Sequence, residues 1–293
     1  MRVFISGITG FLGSQLAECF LRLGHAVAGS ARDAQKAGNF AWLKGSEVVS
    51  FSLGEQPTAS MFEGCDTFVH CAHEFGRGSL ALNAAASQSL YHAAQQAGVQ
   101  HQIYMSSYSA RPDSLSEYGR TKYLVEQHFL ERGETVVRPG LVVGNGGMFL
   151  QSARATLRTP LIPLLNGGRN LVPIIGVSDF VLAVETIAER RLRGAYNLFN
   201  PDQMTMRELL DTVKQCAGHR ALYLPINSSA AVLALRVLRK LGLRLPVDEG
   251  NVRAVDQNQG VIHLTDLPEL LPEILSNREA IGRALKGAAQ IAC

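Results

Sequence analysis

Apolar and polar positions in the first 140 residues alternate between two rhythms. Short runs rich in β-branched and aromatic residues recur at Arg2–Ser6, Ala26–Ser30, Glu47–Phe51, Thr67–Cys71, Gln102–Met105 and Thr135–Arg138, and read as strands. Between them Phe11–Leu23, Leu80–Ala97 and Glu117–Glu131 carry helical periodicity, each long enough for a right-handed crossover. The alternation predicts an α/β fold, a doubly wound, Rossmann-like parallel sheet covered by helices on both faces. After Pro139 the pattern changes. Gly144-Asn145-Gly146-Gly147 reads as a loop, and the stretch from Thr159-Pro160 to Gly167-Gly168 is rich in Pro and Gly. A β–α–β passage returns with Leu171–Ile175, a helix from about Ser178 to Glu189, and Ala195–Leu198; from Met206 onward helical periodicity dominates, with breaks near Pro225, Pro246 and Pro272. The expected organisation is a sheet domain of residues 1–145 plus about 171–200. A smaller, mainly helical C-terminal lobe, about 146–170 and 201–293, is interleaved with it.

Composition changes this picture little. The chain is 46% hydrophobic and 18% charged, a globular profile, and 28 basic against 25 acidic residues leave +3. No dense Lys/Arg block with interleaved aromatics appears, so nucleic acid is not an expected partner. The five cysteines form no CxxC pair and are expected to act as small buried hydrophobes in a reducing cytosol. No apolar leader precedes the first strand and no run of 18 apolar residues occurs, so a cytoplasmic protein without a transmembrane segment is expected.

Chemistry enters with Gly7-Ile8-Thr9-Gly10-Phe11-Leu12-Gly13, which follows the first strand and opens the first helix. Gly7 permits the tight turn, Gly10 lets backbone approach a pyrophosphate, and Gly13 lets helix approach strand; the helix N-terminus offers free N–H groups. A nicotinamide dinucleotide is therefore expected on Gly7, Thr9, Gly10, Phe11, Leu12 and Gly13. Tyr118 and Lys122 lie four apart on a predicted helix and share one face. An ammonium there draws the phenol's pKa down toward a range useful for proton transfer. Ser107, at the end of the preceding strand, is placed to orient the same substrate oxygen, with Ser106 and then Ser109 as alternatives.

The spacing GxxGxxG, with Asp66 through Ala72, Ser106-Ser107, Tyr118-Gly119-Arg120-Thr121-Lys122, Arg138-Pro139-Gly140, Val177-Ser178-Asp179 and Tyr196-Asn197 in order, resembles the short-chain dehydrogenase/reductase superfamily, in its extended and atypical epimerase/dehydratase-like branches. The resemblance runs from residue 1 to about 200. It implies catalytic roles for Ser107, Tyr118 and Lys122, a ribose contact for Lys122, a supporting amide at Asn83, and a homodimer. One departure is the short connection of ten residues between Ser107 and Tyr118. His70 and His73 flank Cys71-Ala72 without a third ligand, so no metal is expected, and the Ala72–His73 backbone is instead placed against the cofactor. Asp179 is expected to cap a helix.

At the end of the second strand, where an NAD-specific loop presents an acid, this chain has Ala31 followed by Arg32. Arg32 with Ser30 suits a 2′-phosphate, so NADP is expected over NAD; Asp33 is either the counterargument or the cap of the next helix. Sugar-nucleotide members of the resembled family carry an asparagine where this chain has Leu141, and a downstream arginine where it has Val172. Arg154 and Arg169 are the substitutes available. The expected function is NAD(P)-dependent reduction of a small-molecule carbonyl compound, or oxidation of an alcohol. The alternatives are a sugar-nucleotide epimerase or dehydratase and a non-catalytic cofactor sensor. Finally, Ala230–Arg244 sets Arg236, Lys240 and Arg244 against Leu233, Val237 and Leu241 at helical spacing. It reads as a lobe helix with a solvated basic face, the alternative being an amphipathic helix on an anionic surface.

Overall fold

Val3, Phe4 and Ile5 are fully buried, which an all-parallel sheet covered on both faces demands of its central strand. The computed structural model describes residues 1–76, 78–240, 249, 252–253 and 263–291. Seven strands build the main sheet: β1 (Arg2–Ser6), β2 (Ala26–Ala31), β3 (Glu47–Ser50), β4 (Thr67–His70), β5 (His101–Met105), β6 (Thr135–Pro139) and the later Gly194–Leu198. They are all parallel, and β4 and β2 flank β1. Chain order reverses at β1, so the loops after β1 and β4 open a crevice at the carboxyl edge, the usual ligand position in such sheets. Helices α1 (Phe11–Arg22), α2 (Ser79–Gln96) and α3 (Glu117–Leu130) are the crossovers, each within a residue or two of the periodicity-based expectation. α3 starts where Ser116 accepts the Gly119 N–H at 3.0 Å, an N-cap.

Of four hydrophobic clusters among the described residues, two reach into the later part of the chain. The larger joins β1 and α1 to the helix Val177–Glu189, and to Leu267, Leu270 and Leu271 from far along the chain. The smaller is built from Phe149, Val172, Ile174, Leu209, Val213 and Ile281, within the lobe. Among the described residues no helix is long and apolar enough to cross a membrane.

The lobe corrects several expectations. Leu161–Leu165 is a strand inside the stretch read as a Pro/Gly loop, and it pairs in parallel with Leu222–Ile226, where Pro225 had signalled only a break. Proline is tolerated in such a two-stranded edge ribbon. Leu171–Ile175 splits at Pro173 into two short strands with different partners. Asp179 lies in the first turn of its helix, whose N-cap is Gly176; its carboxylate accepts the Leu275 N–H at 3.0 Å. Among the described side chains of the helix Ser228–Lys240 Leu235 is buried, while Leu233 and Val237 face out and Arg236 pairs with Glu249. Leu241, Arg244 and Pro246 lie outside the described residues. Cys19 and Cys65 are buried as expected, but Cys216 is exposed.

Candidate active site

The turn after β1 is set by close approach. Gly7 takes φ +70°, and a Cβ on Gly13 would lie 2.3 Å from the Gly7 carbonyl oxygen, so neither position admits another side chain without rearrangement. Gly10 is the N-cap of α1, no side chain caps the helix, and its first turn holds no acid. The helix N-terminus thus offers backbone donors and no competing negative charge, which fits a dinucleotide diphosphate. Thr9 is half-exposed, Leu12 leans on the main core, and the Phe11 ring packs against Gly144, Gly146 and Gly147. The Phe11 ring is thus engaged by these glycines, leaving its backbone at the turn.

The loop after β4 runs beside this turn. Ala72 abuts Gly7 and donates its N–H to the Ser6 hydroxyl at 3.2 Å. Asn83 is buried and grips the loop: its side chain accepts from the Glu74 N–H and donates to the Glu74 and Ser79 carbonyls, each at 2.8 Å. His70 is held between the Ser6 and Ser87 hydroxyls at 2.7 and 2.8 Å, and burial pushes its pKa down to about 3.

On the opposite side lie the remaining candidates. The Ser107 hydroxyl sits 2.9 Å from that of Ser109 and lies close enough to the Tyr118 phenol to act on its proton affinity. Ser106 is spoken for, donating to Glu126 at 2.8 Å, while Arg138 clamps the same carboxylate with two bonds of 2.7 and 3.0 Å. Of the alternatives, only Ser107 reaches the phenol among the contacts seen. A Cβ on Gly119 would strike the Ser109 carbonyl oxygen at 2.5 Å, so glycine after Tyr118 lets the Ser107 loop close on α3. Lys122 is buried and donates to the Met105 carbonyl at 2.7 Å, with its nitrogen 5.8 Å from the Tyr118 ring centre. His73 meets the Tyr118 ring edge-on at 5.1 Å, and Phe75 lies nearly coplanar with it at 6.0 Å.

The electrostatics differ from the expectation. Burial pushes the Tyr118 phenol up to about 12, against the downward pull of its Ser107 hydrogen bond. Desolvation, not the lysine, sets its proton affinity, and the phenol is a protonated acid at neutral pH. Burial also lowers Lys122 to about 8, and His73 to about 3 with help from the Lys122 charge, so His73 is neutral.

At the far end of the crevice, Arg32 is three-quarters exposed and pairs with Glu74 at 3.3 Å. Glu74 went unseen in the sequence; only the fold brings the loops after β2 and β4 together. Ser30 is buried within β2, away from the surface Arg32 occupies. Asp33 accepts the Gln35 N–H at 3.1 Å and so caps the next short helix.

Residues 7–138 match a family of NAD(P)H-binding domains. The 4-hydroxy-2-methyl-3-oxo-4-farnesyl-3,4-dihydroquinoline-1-oxide ketoreductase of Stigmatella aurantiaca is 23% identical, over 75% of this chain and 75% of its own. The triphenylmethane reductase of Citrobacter sp., complexed with NADP(H), superposes with a TM-score of 0.75 at 18% identity, covering 96% of this chain and 99% of that one. MoeE5 in complex with UDP-glucose and NAD superposes with a TM-score of 0.71 at 23% identity over 100% of both chains. Residues 7–138 are thus an NAD(P)H-binding Rossmann domain, in a chain that shares its fold with the triphenylmethane reductase and with UDP-sugar 4-epimerases.

Proposed function

We propose that this protein is an NAD(P)H-dependent reductase of a carbonyl compound, with Tyr118 as the proton donor. The observation that carries the reading is the meeting of Ser107, Tyr118 and Lys122 at one end of the crevice bordered by Gly7 and Ala72. The loop Gly7–Gly13 and the N-terminus of α1 hold the diphosphate, and Lys122 serves the nicotinamide ribose. Bound NAD(P)H supplies a hydride to the carbonyl carbon. Tyr118 gives its hydroxyl proton to the carbonyl oxygen, Ser107 orients that oxygen, and the products are an alcohol and NAD(P)⁺. A phenol kept protonated by burial suits the reducing direction. Phe75 is 69% exposed beside Tyr118 and offers a flat apolar face to a ring-bearing substrate. NADP is the preferred cofactor, bound by Arg32 once its carboxylate partner Glu74 is displaced.

The likeness to MoeE5 favours a second reading, a sugar-nucleotide epimerase. Against it, Leu141 and Val172 stand at the nucleotide-contact positions of such enzymes, and Val172 is buried in the lobe core. Net turnover separates the two. A reductase consumes one NADPH per alcohol formed from a panel of aryl and alicyclic ketones. An epimerase converts UDP-glucose without net consumption and carries its dinucleotide through purification; that result would reverse the assignment.

A further inference from the structure

A second group of polar side chains borders Tyr118 and has no part in the chemistry above. Tyr108 lies close enough to Tyr118 to raise its pKa, and its position is pinned by its N–H bond to the Pro139 carbonyl at 3.1 Å. The ring of His263 meets Tyr108 edge-on at 6.0 Å and Phe199 at 5.9 Å. Gln203 bonds both the N–H and the carbonyl of His263, fixing a residue that arrives from far along the chain. Arg111 completes the group, its charge acting on both Tyr108 and His263. Two of these side chains carry buried nitrogens with no hydrogen-bond partner among the described residues, Arg111 Nε and His263 Nε2. The Arg111 Nε stands 3.7 Å from the exposed Asp113 carboxylate, too far for a hydrogen bond.

Buried polar groups are ordinarily satisfied, and two nitrogens without a hydrogen bond, one a guanidinium donor and the other a ring nitrogen whose tautomer a ligand can set, mark a place for an acceptor. A guanidinium presents a rigid fork matched to a planar, charged oxygen pair. A phenol and a neutral imidazole beside it add polar contacts, and the acid that pairs with the guanidinium, Asp113, is 68% exposed and open to displacement by a bound carboxylate. We propose that Tyr108, Arg111 and His263 form a subsite for a carboxylate on the substrate, next to the carbonyl that Tyr118 protonates. The substrate class is then a keto acid, or a ketone bearing a comparable anionic oxygen. This inference rests on the reading of Tyr118 as the proton donor at the same site.

Benzoate and its neutral counterpart benzamide are the probes, titrated calorimetrically into the full chain saturated with NADP⁺. Benzoate is expected to bind at least tenfold more tightly than benzamide. Arg111→Met erases that preference, and Arg111→Lys, which keeps the charge but not the fork, restores part of it. His263→Phe keeps the ring packing on Tyr108 and Phe199 and weakens benzoate several-fold. Unchanged NADP⁺ affinity in each variant shows that the fold survives. Equal binding of the two probes, or a full preference for benzoate in both Arg111→Met and His263→Phe, overturns the proposal. The readout involves no proton transfer. Loss of the preference in the wild-type protein with ketone reduction intact therefore counts against the subsite alone, whereas turnover surviving Tyr118→Phe with the benzoate preference intact refutes the proton donor and supports the subsite.

Discussion

The crevice wall and the outer lobe are packed by opposite rules. Around the glycine turn and α3, backbone meets backbone: a Cβ on Gly13 or Gly119 has no room, and the Glu126 carboxylate is sealed between Arg138 and Ser106. On the lobe, Leu222 is 74% and Leu233 is 63% exposed, and the ribbon that carries Leu222 admits Pro163 and Pro225 within its paired strands. The first region holds the parts that any bound dinucleotide and any proton transfer require, so its geometry is over-determined. The second shapes what else enters the crevice, and few of its positions are tightly constrained.

Substitutions should divide along that line. The largest effect is expected from Glu126→Ala, which strands the half-buried Arg138 guanidinium and frees Ser106. Breaking such a pair typically costs about 3–5 kcal/mol, and a drop of less than about 1 kcal/mol in denaturant unfolding would mean that the clamp is not structural. Next is Lys122→Met. The ammonium titrates near 8 in the fold against an ordinary 10.5, so between those values the unfolded chain binds more protons and stability rises with pH. Removing the buried charge should flatten that rise and leave the cofactor-free protein at pH 7 as stable as the wild type or more so, by up to roughly 3 kcal/mol. NADPH binding should weaken in the same variant. Melting curves from pH 7.5 to 10 test the first part, and a variant that melts well below the wild type at pH 7 would contradict it.

Smaller changes probe the edges of the comparison. Glu74→Gln releases Arg32 from its carboxylate partner, so NADP⁺ should gain several-fold over NAD⁺ by calorimetry at moderate salt, while Arg32→Ala should narrow the difference. No gain in Glu74→Gln would place the 2′-phosphate away from Arg32. Leu233→Ser on the lobe should change stability by within about 0.5 kcal/mol; a larger loss would show that this exposed face is covered.

Sequence legibility follows the same division. Strands β1 to β6 and helices α1 to α3 were readable because their periods are regular. The strand Leu222–Ile226 was hidden because its proline reads as a break, and only pairing with Leu161–Leu165 makes it a strand. Ser107, Tyr118 and Lys122 are legible from the sequence, but the downward shift expected of Tyr118 is the reverse of the one found, since burial is a property of the assembled site. Glu74, Arg111 and His263 carried no local signal. Each acquires its place only when segments distant in the chain meet.

The account stands most directly on Tyr118→Phe, measured as NADPH affinity by calorimetry and as NADPH consumption with one ketone that the wild type reduces. Only the hydroxyl is lost, and the ring still packs against His73 and Phe75. NADPH affinity should stay within about threefold while turnover falls by roughly 10²–10⁴-fold, the range of a lost general acid. Turnover equal to the wild type, with affinity unchanged, would contradict the claim that this phenol delivers the proton.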